Sequence, residues 1–292
     1  MAGKLLILGG TGQVALDMPG AAKAQGFASS VSVGRETADL TQVDAATLLA
    51  EHRPDAIVNA AAYTAVDRAE SESEAAFALN ADMPGRFAEA AAVAGIPFVQ
   101  ISTDYVFDGR KASAYIETDP REPMGVYGAS KAAGEDRVLA AIGRTAVMRT
   151  AWVYGVHGAN FMKTMVRLAQ SRDTLGVVDD QIGSPTRSSD VAEGAARLAR
   201  ALLDGAIRGG EVYHCAGAGR ASWADFAVAI FEEEARAGRP APQINRITTK
   251  DFPTPAARPA NSQLDCAKLQ SEIGWRPWDW RGRLSDLYRE EN

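Results

Sequence analysis

A tyrosine and a lysine four residues apart, in the stretch Tyr127-Gly128-Ala129-Ser130-Lys131, form the pair in this chain best suited to moving a proton. With Ala132-Ala133-Gly134-Glu135 following, the stretch reads as the opening of a helix. That spacing puts phenol and ammonium on one face, about one turn apart. A free phenol titrates near ~10 and holds its proton at neutral pH. A neighbouring ammonium favours the phenolate and is expected to lower that value toward the range of efficient proton transfer. The pair would then give a proton to a carbonyl oxygen that is being reduced. Tyrosine–lysine pairs at this spacing also arise on ordinary helix surfaces, so the rest of the chain must say what it serves.

Positioning such a pair needs a frame, and the chain alternates strand-like and helix-like segments. An apolar run at 4–8 leads into Gly9-Gly10-Thr11-Gly12-Gln13-Val14-Ala15 and a helical stretch to about 25. Strand, glycine turn and helix in that order is the setting in which backbone N–H groups hold a dinucleotide's pyrophosphate. Ala15 stands where a third glycine is usual, and is small enough for close helix–strand packing. A second strand at 31–33 ends in Gly34-Arg35 and carries no acid for ribose hydroxyls. Arg35 suits a 2′-phosphate, which favours NADPH while leaving NADH open, and Asp39 would lie near the adenine. A helix at 44–51, a strand at 56–59 and small residues at 60–64 follow. Next come an alanine-rich helix over 70–93, interrupted near 82–84, and a strand at 97–101. The hydroxyls of Ser102 and Thr103, at that strand's carboxyl end, are placed to hydrogen-bond a substrate carbonyl. The Tyr–Lys helix then spans 127–141 and a fifth strand 145–149. The alternation predicts an α/β fold built on a doubly wound parallel sheet. Residues 1–150 read as a dinucleotide-binding Rossmann domain. Residues 151–292, with all five tryptophans, read mainly as a substrate-binding lobe, some segments returning to the first domain.

Composition narrows the class. Of 292 residues 46% are hydrophobic, enough for a large core, and the net charge is −6. With a pI near 5.3 and no basic run, a nucleic-acid partner is not expected. Two cysteines and three scattered histidines make no disulfide framework or metal signature. No apolar stretch approaches a membrane span, and the chain is expected to be soluble and cytoplasmic.

The motifs together resemble the extended short-chain dehydrogenase/reductase superfamily. They are GGTGQVA (9–15), VNAAAYTAVDRAE (58–70), STDYVFDG (102–109), YGASK (127–131), RTAWVYG (149–155), NFMKTM (160–165), DDQIGSPT (179–186) and RPANSQLD (258–265). The resemblance implies reduction of the C4 ketone of dTDP-4-dehydro-L-rhamnose to dTDP-L-rhamnose by NADPH. Thr103, Tyr127 and Lys131 would then be catalytic. Gly9, Gly12, Gln13, Val14, Arg35, Asp39, Leu40, Ala62, Tyr63 and Thr64 would hold the cofactor. Asp104, Trp152 and Asn160 would meet the sugar nucleotide, with Lys163 and Arg258 as diphosphate partners. Some relatives bind Mg²⁺ through glutamates at a homodimer contact; the matching places here are Asp17 and about Ser189, and no metal is assigned. Related dehydratases place Asp-Glu after the catalytic threonine, whereas this chain has Asp104-Tyr105. An enzyme acting on another nucleotide sugar, or a non-catalytic subunit like the regulatory subunit of methionine adenosyltransferase, are the alternative readings.

Overall fold

The computed structural model describes residues 3–291. Strand β1 (Lys4–Leu8) carries Leu5, Leu6, Ile7 and Leu8, all fully buried. A strand apolar on both faces belongs in the middle of a parallel sheet. It pairs in parallel with β2 (Ser29–Val33) on one side and β3 (Ala56–Asn59) on the other. Next come β4 (Phe98–Thr103) and β5 (Thr145–Thr150), also parallel. Helices α1 (Gln13–Ala24) and α2 (Ala45–His52) fill the first two crossovers.

After a short α3 (Val66–Ala69), the long helix expected over 70–93 is three pieces: α4 (Ser73–Phe77), a π-helical turn (Ala78–Asp82) and α5 (Met83–Val93). Pro84 does not break the chain, because it sits in the first turn of α5 where its missing N–H has no intrahelical partner to lose. The irregular step is the π-turn before it, and it turns Asn80 into the protein. The Tyr–Lys helix is α6 (Val126–Ala140).

Beyond β5 the chain makes β6 (Val153–Tyr154), α7 (Phe161–Ala169), β7 (Thr174–Val178), β8 (Ile182–Gly183), β9 (Thr186–Arg187) and α8 (Ser188–Leu203). Strand β10 (Glu211–His214) then returns to the main sheet beside β5, a sixth strand the sequence reading missed. Its four residues are too short and polar at the start to stand out. The sheet order is β10-β5-β4-β3-β1-β2. The remaining elements are β11 (Ala221–Ser222), α9 (Trp223–Arg236), β12 (Gln243–Ile247), α10 (Ala267–Ile273) and α11 (Trp280–Glu291). Strand β12 pairs in parallel with β7, outside the main sheet.

Alternation along β1 divides the core between two faces, as a period of two requires. Leu5 and Ile7 pack with Met18 and Ala22 of α1 and Val191 to Leu202 of α8. Leu6 and Leu8 pack with Leu48 and Leu49 of α2, Phe87 of α5 and Val138 of α6. A separate cluster joins α7, α9 and α11 through Met162, Phe226, Ile230 and Leu287. Among the described residues, no helix is long and apolar enough to cross a membrane.

Candidate active site

The carboxyl ends of β1 to β5 open into one trough. Its first part, about 810 Å³, is lined by Gly9, Gly12, Arg35, Asp39, Leu40, Ala62, Tyr63 and Thr64. Its second part, about 660 Å³, shares Gly12, Ala62 and Thr64 and adds Gln13, Val14, Thr103, Tyr127 and Lys131. All ten residues expected at the cofactor thus face one continuous space, and it runs up to the three expected at the chemistry.

The first part has the features a dinucleotide needs. The N-terminus of α1, a helix of 12 residues, has no side-chain cap at Gly12. Nothing lies within 4 Å of where a Gly12 Cβ would point. Free N–H groups and the positive end of the helix dipole therefore face open space suited to a pyrophosphate. At Gly34 a Cβ would come 2.6 Å from the Gly10 nitrogen, so only glycine lets β2 end this close to the turn. The residues present fit the adenosine and diphosphate halves of NADP(H).

At the far end, Thr103 closes β4 and its hydroxyl donates to Asp104 Oδ1 at 2.9 Å. Tyr127 and Lys131 occupy the first turns of α6 on the same wall. The phenol differs from the sequence expectation. Burial pushes it up to about 12, Thr103 opposes that rise, and the charge of Asp104 adds to it. Lys131 is not what acts on it. Its ammonium donates to the Ile101 carbonyl at 2.6 Å, and burial lowers it to about 8 against the pull of Glu135. Desolvation outweighs the attraction expected from spacing alone, because both groups are taken out of water. Tyr127 is accordingly a firm proton carrier at neutral pH. Asp104 is pushed up to about 6 by burial, with the Ser262 and Thr103 hydroxyls opposing.

Two supports behind this wall were not anticipated. Asn80, in the π-turn, accepts from the Tyr63 N–H at 2.8 Å and donates to the Tyr63 carbonyl at 3.1 Å and the Ser130 hydroxyl at 3.0 Å. It ties the cofactor wall to the helix that carries Tyr127 and Lys131. One turn beyond Lys131, Glu135 accepts from Ser102 at 2.6 Å and from Arg149 at 2.9 and 2.7 Å. Arg121 adds a further bond at 3.2 Å. A signal existed: Arg149 is a charge inside the apolar run Thr145–Thr150, and a charge there must be paired.

The expected substrate residues separate. Asp104 and Trp152 line the cleft with Tyr127. Asn160 instead caps α7, accepting from the Lys163 N–H at 3.0 Å and donating to the Gly155 carbonyl at 2.8 Å. Lys163 lies in a different groove, with Val166, Arg167 and Arg239, because Met162 and Met165 take the buried face of α7. Arg258 is held by Asp67 at 2.9 Å and backs the Tyr105 ring at 5.9 Å. At the place matched to a metal, Ser188 rather than Ser189 meets Asp17, donating to it at 2.5 Å. Among the described residues no group of three or more His, Cys, Asp or Glu side chains could hold a metal ion.

Comparison with known proteins agrees with this geometry. The RmlD substrate binding domain profile matches residues 3–292. A dTDP-4-dehydrorhamnose reductase of Aggregatibacter actinomycetemcomitans is 41% identical over 287 residues, 97% of this chain and 98% of that protein. The crystal structure of a dTDP-4-dehydrorhamnose reductase of Clostridium acetobutylicum superposes with a TM-score of 0.89 at 35% identity, covering 99% of each chain. That of Bacillus anthracis, in complex with NADP, gives 0.90 at 32% identity over 99% of this chain and 100% of that one. A six-stranded parallel sheet, a glycine-turn trough and a Thr–Tyr–Lys wall thus coincide with a profile spanning nearly every residue, and the chain belongs to the RmlD substrate-binding domain family.

Proposed function

We propose that this chain reduces the C4 ketone of dTDP-4-dehydro-L-rhamnose to dTDP-L-rhamnose with NADPH. The observation that carries the reading is the wall shared by Thr103, Tyr127 and Lys131 at the end of the glycine-turn trough. Relatives at about this chain's full length bear that enzyme's name, and one was solved with NADP.

NADPH supplies the hydride when bound. Residues Gly12, Gln13 and Val14 would hold its diphosphate at the start of α1, and Arg35 its 2′-phosphate. As negative charge grows on the C4 oxygen, Tyr127 donates its proton, and the Thr103 hydroxyl, turned away from Asp104 Oδ1, donates a hydrogen bond. Lys131, buried one turn on with its ammonium on the Ile101 carbonyl, lines the same cleft and would hold the nicotinamide ribose. Asp104, poised near neutrality by its burial, meets a sugar hydroxyl. Tyr105 stands where dehydratases carry glutamate and supplies no second carboxylate.

Purified protein with NADPH and freshly generated dTDP-4-dehydro-L-rhamnose should consume the cofactor's near-ultraviolet absorbance and yield dTDP-L-rhamnose. With dTDP-glucose alone it should form no 4-dehydro-6-deoxy product. Detection of that product by mass spectrometry would move the chain to the dehydratases. NADPH binding without turnover of the keto sugar would favour a non-catalytic partner.

Arg35 gives a graded check. Removing a charge-assisted contact to a phosphate costs about 1.5–3 kcal/mol. Arg35→Ala should therefore narrow the NADPH-over-NADH preference in kcat/KM by about tenfold or more. Equal use of both cofactors by the unaltered protein would leave Arg35 without this role.

A further inference from the structure

Trp152 holds a backbone conformation that bulky residues avoid: its φ is +46°. Strain of this kind persists only where surrounding contacts over-determine it, and it concentrates at functional sites. Three contacts are visible. Its Nε1–H donates to Ser262 Oγ at 3.1 Å. Its ring lies on Gly183, where any Cβ would collide with the indole. Its face stacks on Trp223, with centroids 3.5 Å apart and planes 5° from parallel.

Trp223 is itself fixed. It opens α9 behind a capping box made by Ser222 and Asp225, and its Nε1–H donates to Gln181 at 3.2 Å. Phe161 packs against it at 4.6 Å. Both indoles and Phe161 line the cleft that holds Thr103 and Tyr127. Both indole N–H groups are spent on protein partners, so the paired rings offer the cleft a flat surface with no free donor. Such a surface takes carbon and leaves a hydroxyl unpaired.

We propose that Trp223 is a positioning residue: it holds Trp152 in the strained conformation, and the pair forms an apolar wall for the carbon face and methyl group of a deoxysugar. This rests on the reductase reading above. The rings come from segments 71 residues apart in sequence (223 − 152), which is why spacing alone gives no hint of the wall.

Steady-state kinetics and circular dichroism on the full chain test it. Trp223→Ala should raise KM for the sugar nucleotide by about tenfold or more, with kcat and KM for NADPH each within about threefold. The exciton couplet of two stacked indoles should vanish in the far ultraviolet. Trp223→Phe should restore most of the sugar KM, since a ring returns to the stack. A lost couplet with unchanged sugar KM overturns the role, as does an equal decline in every kinetic constant. Should Trp223→Ala not fold, Gln181→Ala keeps the ring and releases the indole N–H, together with the bond from Gln181 to the Thr249 hydroxyl. It should weaken the couplet and raise sugar KM by about twofold or more, and an unchanged KM there also overturns the role. An unaltered protein that does not turn over the keto sugar sinks both readings, whereas turnover with an indifferent variant sinks only this one.

Discussion

Replacing Tyr127 by phenylalanine is expected to lower turnover of the keto sugar by about 10²-fold or more at neutral pH. The variant keeps the ring, which meets Tyr105 edge-on at 5.6 Å, and removes only the proton that the C4 oxygen needs. A near volume-conserving change of this kind should cost less than about 1.5 kcal/mol of stability. NADPH affinity should stay within a few-fold, because the N-terminus of α1 and Lys131 are untouched. Fluorescence titration of NADPH beside stopped assays separates the two quantities. Near-normal turnover would remove Tyr127 from the chemistry.

The second large effect concerns stability. Glu135 is fully buried and Arg149 has a side chain only 3% exposed, so each neutralises a charge that water cannot reach. Deleting one partner of a buried pair typically costs about 3–5 kcal/mol. Glu135→Ala should lose that much in denaturant unfolding, with Arg149 deprived of its acidic partner and Arg121 left with Asp136 as its acidic partner. Because an apolar replacement of both partners is often close to neutral, Glu135→Leu with Arg149→Met should recover more than half of the loss. A loss below about 1 kcal/mol for Glu135→Ala would mean that the network contributes little.

Those two residues also show where sequence reading stops. Tyr127 and Lys131 are legible because a helix makes residues four apart neighbours whatever surrounds them. The same holds for the glycine turn, where a strand, three glycines and a helix start are contiguous, and for β1, whose apolar run announces a strand buried on both faces. The order of alternating elements was enough for the parallel sheet. Local periodicity and contiguous turn chemistry are thus properties of the chain itself.

What the tertiary structure decided involves distance in sequence or loss of water. Strand β10 joins the sheet only because β5 presents an edge to it. The length of the expected helix over 70–93 yielded to the π-turn that lets Asn80 reach Tyr63 and Ser130. Lys163 and Asn160 share a motif with cleft residues, yet the amphipathic face of α7 sends one to another groove and makes the other a cap. The protonation of Tyr127 went opposite to the inference from its lysine neighbour. Spacing along a helix sets which charges are close, whereas the fold sets how much water they keep, and here burial is the larger effect.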